Sequence, residues 1–380
     1  MKATLEITEI AEEKLNSLLR SGILQGGHNG PYYDQETPVR VSAHWIFIFS
    51  WLYDIKKDNR YFEAVKMLAE YLYKERIESS YAFTCRIDER KDHVNGTIGQ
   101  AWAIEGLIRA AIVLHDNKYY ELAVEVFNQH KFNNNFAIWN RTEIDGRLLG
   151  YDNTFNHQLW LAAAGAQIIR YKFDQKIDNQ IRIFLDACKN TDLFRVYPDG
   201  VVKHFAFIPG TLKERVKFYK KELINDFRCF AKKPSMYYKE RGYHYFCMYG
   251  FALVFQTYQD HPLFQCKKFK KALDFTFEPK NLKALEVYSP QNDATGLAKN
   301  VHNTSVNIYG YAYNSPAFEL PFIYKCFKGN LPELFVDQMW EKQMEITKNS
   351  EGWFSKNNED SITLEARVYE FVRAMIQEEK

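Results

Sequence analysis

The stretch Ala43-His-Trp-Ile-Phe-Ile-Phe-Ser-Trp-Leu-Tyr53 is apolar on nearly every side. A helix of this composition has no face to offer water, so it is enclosed by other protein. A few residues further on, Tyr61, Phe62, Val65, Leu68, Ala69, Leu72 and Tyr73 recur at three- and four-residue spacing, with Glu63, Lys66, Glu70 and Lys74 on the opposite side. This second pattern is a helix with one face in solvent.

The two kinds alternate along the whole chain. Amphipathic stretches fall near 3–20, 61–74, 117–129, 174–189, 262–277 and 331–348, and enclosed ones near 43–53, 98–114, 155–171, 243–258, 316–327 and 362–376. Strict alternation makes helical hairpins, and six of these close most simply into a double ring with the apolar helices inside. The expected fold is all-α, an (α/α)6 toroid formed by one domain over residues 1–380. An open solenoid would instead show a regular repeat, whereas the inner helices are expected to start near 38, 97, 154, 242, 316 and 363, at uneven spacing. Phe136–Asn140 and Leu193–Phe205 alternate enough to form short β-hairpin insertions, the second around a Pro198-Asp199-Gly200 turn. Leu212–Cys229 reads as an additional helix carrying Lys213, Arg215, Lys217, Lys220 and Lys221. It is either a solvated face or a lid that attracts an anionic substrate.

Composition removes several classes of function. The 380 residues carry 50 Lys and Arg against 48 Asp and Glu, a net charge of +2. This is far from the one-faced basic stripe that nucleic acid requires. No run of about eighteen apolar residues occurs, so membrane insertion is not expected. The acidic start, with Glu6, Glu9, Glu12 and Glu13, is unlike a secretory signal, and a cytoplasmic location is expected. Six cysteines stand singly, so neither a disulfide framework nor a zinc ribbon is indicated. With 29 Phe, 25 Tyr and 7 Trp the chain is rich in rings, and it is poor in Gly and Pro. Long regular elements around an apolar or ring-binding interior follow.

In an alternating hairpin ring the starts of the inner helices share one end, so the polar residues that precede them converge on one mouth. His28 to Arg40 contains Thr37 and Pro38, which suit a helix start, and Asp34, Glu36 and Arg40, which that role does not explain. Lys91 to Glu105 holds Asp92, His93, Asn95, Gln100 and Trp102, with Asn95 or Thr97 able to cap. Glu105 in that apolar helix is either a proton donor of raised pKa or one half of an ion pair with Arg109. Gly150 to Trp160 brings Asp152, Asn156, His157 and Gln158 beside Trp160. Asp152 could cap the helix, while amides, an acid and an imidazole next to a ring resemble a saccharide subsite. The later groups are Arg241 to Tyr245, Asn303 to Glu319 with a Ser315-Pro316 helix start, and Glu365 to Arg367. His244 is either a core histidine or a site residue. His244 and Cys247 form a weak metal pair without further ligands.

No phosphate loop, Rossmann glycine fingerprint or nucleophile elbow is present, and neither a metal nor a cofactor is expected. Carboxylates, imidazoles, amides and rings around one mouth fit acid–base chemistry on glycans. Trp45, Trp102, Trp160, Tyr243, Tyr245 and Tyr313 are the rings expected to touch a sugar. Glu36, Arg40, His93, Asn95, Gln100, Asn156 and His244 are the expected polar contacts.

The segments Asp92 to Leu107, Thr154 to Gly165 and Tyr311 to Glu319 resemble the six-hairpin glycosidase-like superfamily, and within it the VpsJ and AglQ type encoded in surface-polysaccharide gene clusters. The resemblance covers nearly the whole chain. It implies the (α/α)6 barrel and work on a surface glycan, with association with polysaccharide-biosynthesis proteins. It supplies no catalytic residue. The leading expectation is a glycoside hydrolase-like enzyme with Asp92 and Asp152 as acid and base carboxylates and His157 beside them. The alternatives are a sugar epimerase or lyase in which His157 and His244 exchange a proton, and a saccharide-binding protein without catalysis.

Overall fold

The computed structural model describes residues 2–78, 81–207, 210–300 and 305–376. Asn303, named above with the group before Glu319, lies outside them. The helices are α1 (Lys2–Ser21), α2 (Val39–Lys56), α3 (Asn59–Glu78), α4 (Ile98–Leu114), α5 (Asn117–Gln129), α6 (Phe155–Tyr171), α7 (Gln175–Asn190), α8 (Leu212–Phe230), α9 (Tyr237–Phe255), α10 (Lys267–Thr276), α11 (Pro279–Lys283), α12 (Pro316–Lys328), α13 (Glu333–Thr347), α14 (Ser361–Ala366) and α15 (Val368–Met375).

Helices α2, α4, α6, α9, α12 and α15 pack each against the next, and α15 returns to α2. That closed circuit is the inner ring of an (α/α)6 toroid. Every residue of α2 from Val39 to Leu52 is buried, as its all-round apolar sequence requires. Helices α3, α5, α7, α10 and α13 each lie against the inner helix before them, and α1 reaches α13 and α3. The outer helices bury one stripe, as α7 does with Ile177, Ile181, Phe184, Leu185 and Cys188. Stacked rings fill the space between helices, as with Trp160 on Phe246 at 4.5 Å between inner helices and Phe318 on the outer-ring Trp340 at 5.4 Å. A Cβ on Gly106 would meet the Ala43 backbone at 2.7 Å, so α2 and α4 can approach this closely only at glycine.

Several expected boundaries shift. α9 begins at Tyr237, five residues before the expected start, because the polar run Tyr-Tyr-Lys-Glu-Arg is its first turn and not a loop. The last inner helix is broken at Arg367 into α14 and α15, and the outer helix expected over 262–277 is a 3-10 turn (Pro262–Gln265) followed by α10. The insertion near 136 is a three-stranded antiparallel sheet of β1 (Phe132–Asn133), β2 (Ile138–Thr142) and β3 (Leu148–Tyr151), of which only the middle strand was expected. Leu193–Phe205 is not a ladder. It forms the isolated bridges Val196 to Val202 and Thr154 to Phe205 around a turn closed by Gly200 N–H on Tyr197.

Two expected caps are also corrected. The Thr37 hydroxyl donates to the Thr84 carbonyl at 2.5 Å while accepting the Val39 N–H at a long 3.4 Å, and Ser315 Oγ is engaged by Arg367 Nε at 3.1 Å and makes no cap bond. At a crowded mouth, partners from other hairpins outcompete the local backbone.

Candidate functional site

The loops before the inner helices meet at one end of the ring and enclose a cavity of about 220 Å³. Its walls come from five hairpins: Asn29 and Tyr32 before α2, Asn95 and Trp102 at α4, Asn156 and His157 at α6, Lys239, Tyr243 and Phe246 on α9, and Tyr313 before α12, with His204 from the loop beside α6.

Asp152 organises the α6 side. Its carboxylate accepts the N–H of Thr154 at 3.1 Å, opening its own helix, and that of Thr97 at 3.2 Å, at the start of α4. It also holds His157 Nδ1 at 2.7 Å. Burial opposes its charge, but the His157 imidazole and these N–H donors prevail and keep it well below the usual carboxylate range. A Cβ on Gly96, which has φ +65°, would strike Asp152 Oδ2 at 2.4 Å and His157 Nδ1 at 2.5 Å. Glycine there lets the α4 loop close over the Asp–His pair. His157 Nε2 has no protein partner among the described residues and borders the cavity.

His204 reaches the same cavity because its carbonyl accepts the Phe155 N–H at 2.8 Å, two residues before His157. Its own N–H donates to Glu240 Oε1 at 2.7 Å. Burial, with Lys239 and His157 adding positive charge, holds the imidazole neutral, well below its usual range. Lys239 lies within 5.3 Å of the Tyr32 ring, 5.5 Å of Tyr243 and 6.0 Å of Tyr309, and pairs with no carboxylate among the described residues. Burial lowers it to about 8. The Tyr32 and Tyr243 hydroxyls meet at 2.9 Å. Asn156 Oδ1 and Trp102 Nε1 have no protein partner among the described residues, and both residues line the cavity.

Of the residues expected from the sequence, Asn95, Trp102, Asn156, His157, Tyr243 and Tyr313 line the cavity. Asp152 stands directly behind His157. Asp92 is set back in ion pairs with Arg86 at 3.1 Å and Arg141 at 3.0 Å, its other oxygen accepting Gly96 N–H at 2.8 Å. Glu36 and Arg40 form a buried pair at 3.3 Å behind the wall, the guanidinium resting 4.0 Å from the Trp102 ring. Burial raises Glu36 to about 7 despite that neighbour.

The remaining expected residues fall elsewhere. His93 pairs with Glu143 at 3.6 Å. Gln100 clamps the Phe83 backbone at 2.8 and 2.9 Å. Trp45 packs on Phe49, and Trp160 stacks on Phe246 and Tyr249 inside the ring wall. His244 is fully buried between Val202 N–H and the Thr276 hydroxyl, so the imidazole that shares the cavity with His157 is His204 and not His244. Tyr245 belongs to a separate buried cluster with Leu285 and Tyr311. Glu105 is paired at 2.8 Å, but with Arg373, while Arg109 turns to Ser50 and Asp54.

Sequence reasoning missed Tyr32, Arg86, Lys91, His204 and Lys239. Asp34 and Lys91 were inside the polar clusters and carried a signal. Lys239 was hidden by the late start assigned to α9, and His204 by its distance in sequence from any inner helix. Among the described residues no group of three His, Cys, Asp or Glu is arranged to hold a metal, and no helix is long and apolar enough to cross a membrane.

The closed double ring of helices is the six-hairpin (α/α)6 fold. The chain is similar to archaeal glycosylation protein Q of Haloferax volcanii, with 29% identity over 380 residues that cover 96% of this chain and 95% of that one. Solved structures with the same fold include cellobiose 2-epimerase from Spirochaeta thermophila (TM-score 0.60, 12% identity, 98% of this chain and 97% of that one). Unsaturated glucuronyl hydrolase from Bacillus sp. GL1 is a second (0.61, 13%, 98% and 95%), and a D-mannose isomerase a third (0.56, 12%, 97% and 98%). No protein-family model matches the chain.

Proposed function

We propose that this protein is a carbohydrate-active enzyme of glycosylation that moves a proton on a sugar bound at the mouth, in the manner of an epimerase or isomerase. The observation that carries the reading is the His157–Asp152 pair bordering the 220 Å³ cavity at 2.7 Å. An imidazole fixed through Nδ1 by a carboxylate is oriented with Nε2 free to exchange a proton with a ligand. His204, kept neutral by burial, is the second imidazole at the cavity. One imidazole removes the proton from the carbon next to the sugar's carbonyl, leaving an enediolate, and the other, entering the step protonated, delivers a proton to that carbon, so the carbonyl re-forms and no oxidant or cofactor is needed. Lys239, Asn156 and Trp102 supply donors and an acceptor for hydroxyl groups, and Tyr32, Tyr243 and Tyr313 the ring surfaces.

Hydrolysis by two carboxylates, the leading expectation from sequence, finds less support. A carboxylic acid that donates a proton needs a raised pKa. Asp152 is shifted the other way, Asp92 is committed to two arginines, and Asp34, the carboxylate bordering the cavity, is held by Arg86 and Lys91. The name of the Haloferax relative and the epimerases and isomerase among the fold neighbours accord with a saccharide substrate.

The test is incubation with mono- and disaccharides in deuterated water, read by NMR for deuterium entering at the carbon next to the carbonyl. Exchange that falls at least about 100-fold in His157→Gln, with the melting temperature kept, is the expected result. Release of new reducing ends without exchange would overturn the reading in favour of hydrolysis.

A further inference from the structure

Helix α8 inverts the usual arrangement of a surface helix. The face it turns to the body carries, beside Phe218 and Cys229, a polar network: Glu222 meets Arg195 at 2.7 Å and Lys203 at 3.2 Å, Asp226 meets Lys203 at 2.7 Å, and Asn225 bonds Tyr197 and the Met236 N–H. None of its residues is buried. Leu212, Val216, Tyr219, Leu223, Phe227 and Phe230 follow one another at three- and four-residue steps and form a single stripe along the outside. They are exposed, Leu223 to 71% and Phe230 to 88%. Helix α8 holds seven of the 21 large hydrophobic residues that are exposed among the described residues. A merely solvated helix would put charge in those places.

The charges beside the stripe are of one sign. Lys213, Lys217, Lys220, Lys221 and Arg228 are all exposed, and the acids Glu222 and Asp226 are consumed on the body side. The remaining acid, Glu214, closes the capping box with Thr211 at the first turn. An apolar stripe edged by lysine and arginine fits the boundary between acyl chains and anionic headgroups, where rings and aliphatic tips enter and cations stay at headgroup level. The helix also adjoins the mouth: Phe207 packs on Phe218 and Tyr219, and Lys221 lies 5.1 Å from the Phe205 ring, next to His204.

We infer that α8 is a peripheral docking element for an anionic lipid bilayer, lying in its surface and bringing the cavity beside the headgroups. The inference stands apart from the reaction proposed for His157. It replaces the solvated-face expectation for this helix, and it requires no membrane-crossing segment.

The experiment is flotation of the full chain with vesicles of phosphatidylcholine alone and of phosphatidylcholine with about one third phosphatidylglycerol. Binding to the second vesicle, weakened by salt, is expected. Both Leu223→Ser/Phe227→Ser/Phe230→Ser and Lys213→Glu/Lys217→Glu/Lys220→Glu should weaken it about tenfold or more, with unchanged melting temperature. These side chains are exposed, so the variants keep the fold. No flotation with anionic vesicles at low salt would overturn the inference, as would binding indifferent to the stripe. Self-association of the parent chain that the serine variant abolishes, without vesicle binding, would assign the stripe to a second copy and equally overturn it.

Discussion

The mouth and the wall directly behind it are both built from charged side chains on the inner helices, yet they reach opposite electrostatic states. In the wall, Arg367 Nη2 lies 2.6 Å from Glu319 and 2.8 Å from Glu370, and Arg373 holds Glu105 at 2.8 Å with Gln167 beside it. These acids are almost wholly excluded from water, and burial raises all three, Glu370 to about 7 and Glu319 well above its usual value. In the mouth, Lys239 pairs with no carboxylate among the described residues, and the imidazoles of His157 and His204 border the cavity. A charge on an inner helix is therefore not in itself a sign of chemistry. The wall acids are each paired with an arginine and join the ring, whereas Lys239 at the mouth has no ion pair among the described residues.

The sharpest way to break this contrast is Arg367→Met. It strands Glu319 and Glu370 in the interior and should lower unfolding stability by about 3–5 kcal/mol in a denaturant titration. A loss below about 1 kcal/mol would mean that the wall is not held by its pairing.

Glu240 offers a finer probe, because it is as buried as the wall acids but is satisfied by Tyr197 OH at 2.5 Å and His204 N–H at 2.7 Å rather than by an arginine. Burial raises it to about 7 from an ordinary 4.5. Between those values the folded protein keeps a proton that the unfolded chain has lost, so this group's contribution to stability is present below 4.5 and is lost as pH rises through about 7. Glu240→Gln lacks that term. Its melting temperature relative to the parent should climb between pH 5 and pH 8, by the equivalent of about 1–3 kcal/mol. A flat difference would remove Glu240 from the neutral state assigned to it.

The smallest effect is expected at Lys239→Met. Unfolding stability should change by less than about 1 kcal/mol, because no ion pair is lost, while saccharide affinity measured by calorimetry should fall about tenfold, or 1.4 kcal/mol. A stability loss like that of Arg367→Met would place Lys239 with the wall and not with the mouth.

Much of the ring was legible before any coordinates. All-round apolar stretches such as 43–53 can only be enclosed, one-sided stretches such as 61–74 can only line the outside, and their alternation implies hairpins. The polar clusters before α2, α4 and α6 were legible too, and Asn95, Asn156 and His157 do share a cavity. What the pattern does not carry is direction and partnership. Gln100 looks like a binding amide until it is seen gripping the Phe83 backbone, and Glu105 looks paired with Arg109 until Arg373, 268 residues away, is found in its place.

By itself, then, the sequence of this protein determines the type of each helix and the end of the ring where polar residues gather, because both follow from periodicity along one helix. Closure of the ring decides the rest. It sets His204 rather than His244 in the cavity with His157, withdraws Asp92 behind two arginines, and turns the apolar stripe of α8 outward. Those outcomes depend on which side chains meet across hairpins, and burial and charge at such meetings are set by distance in space and not by distance along the chain.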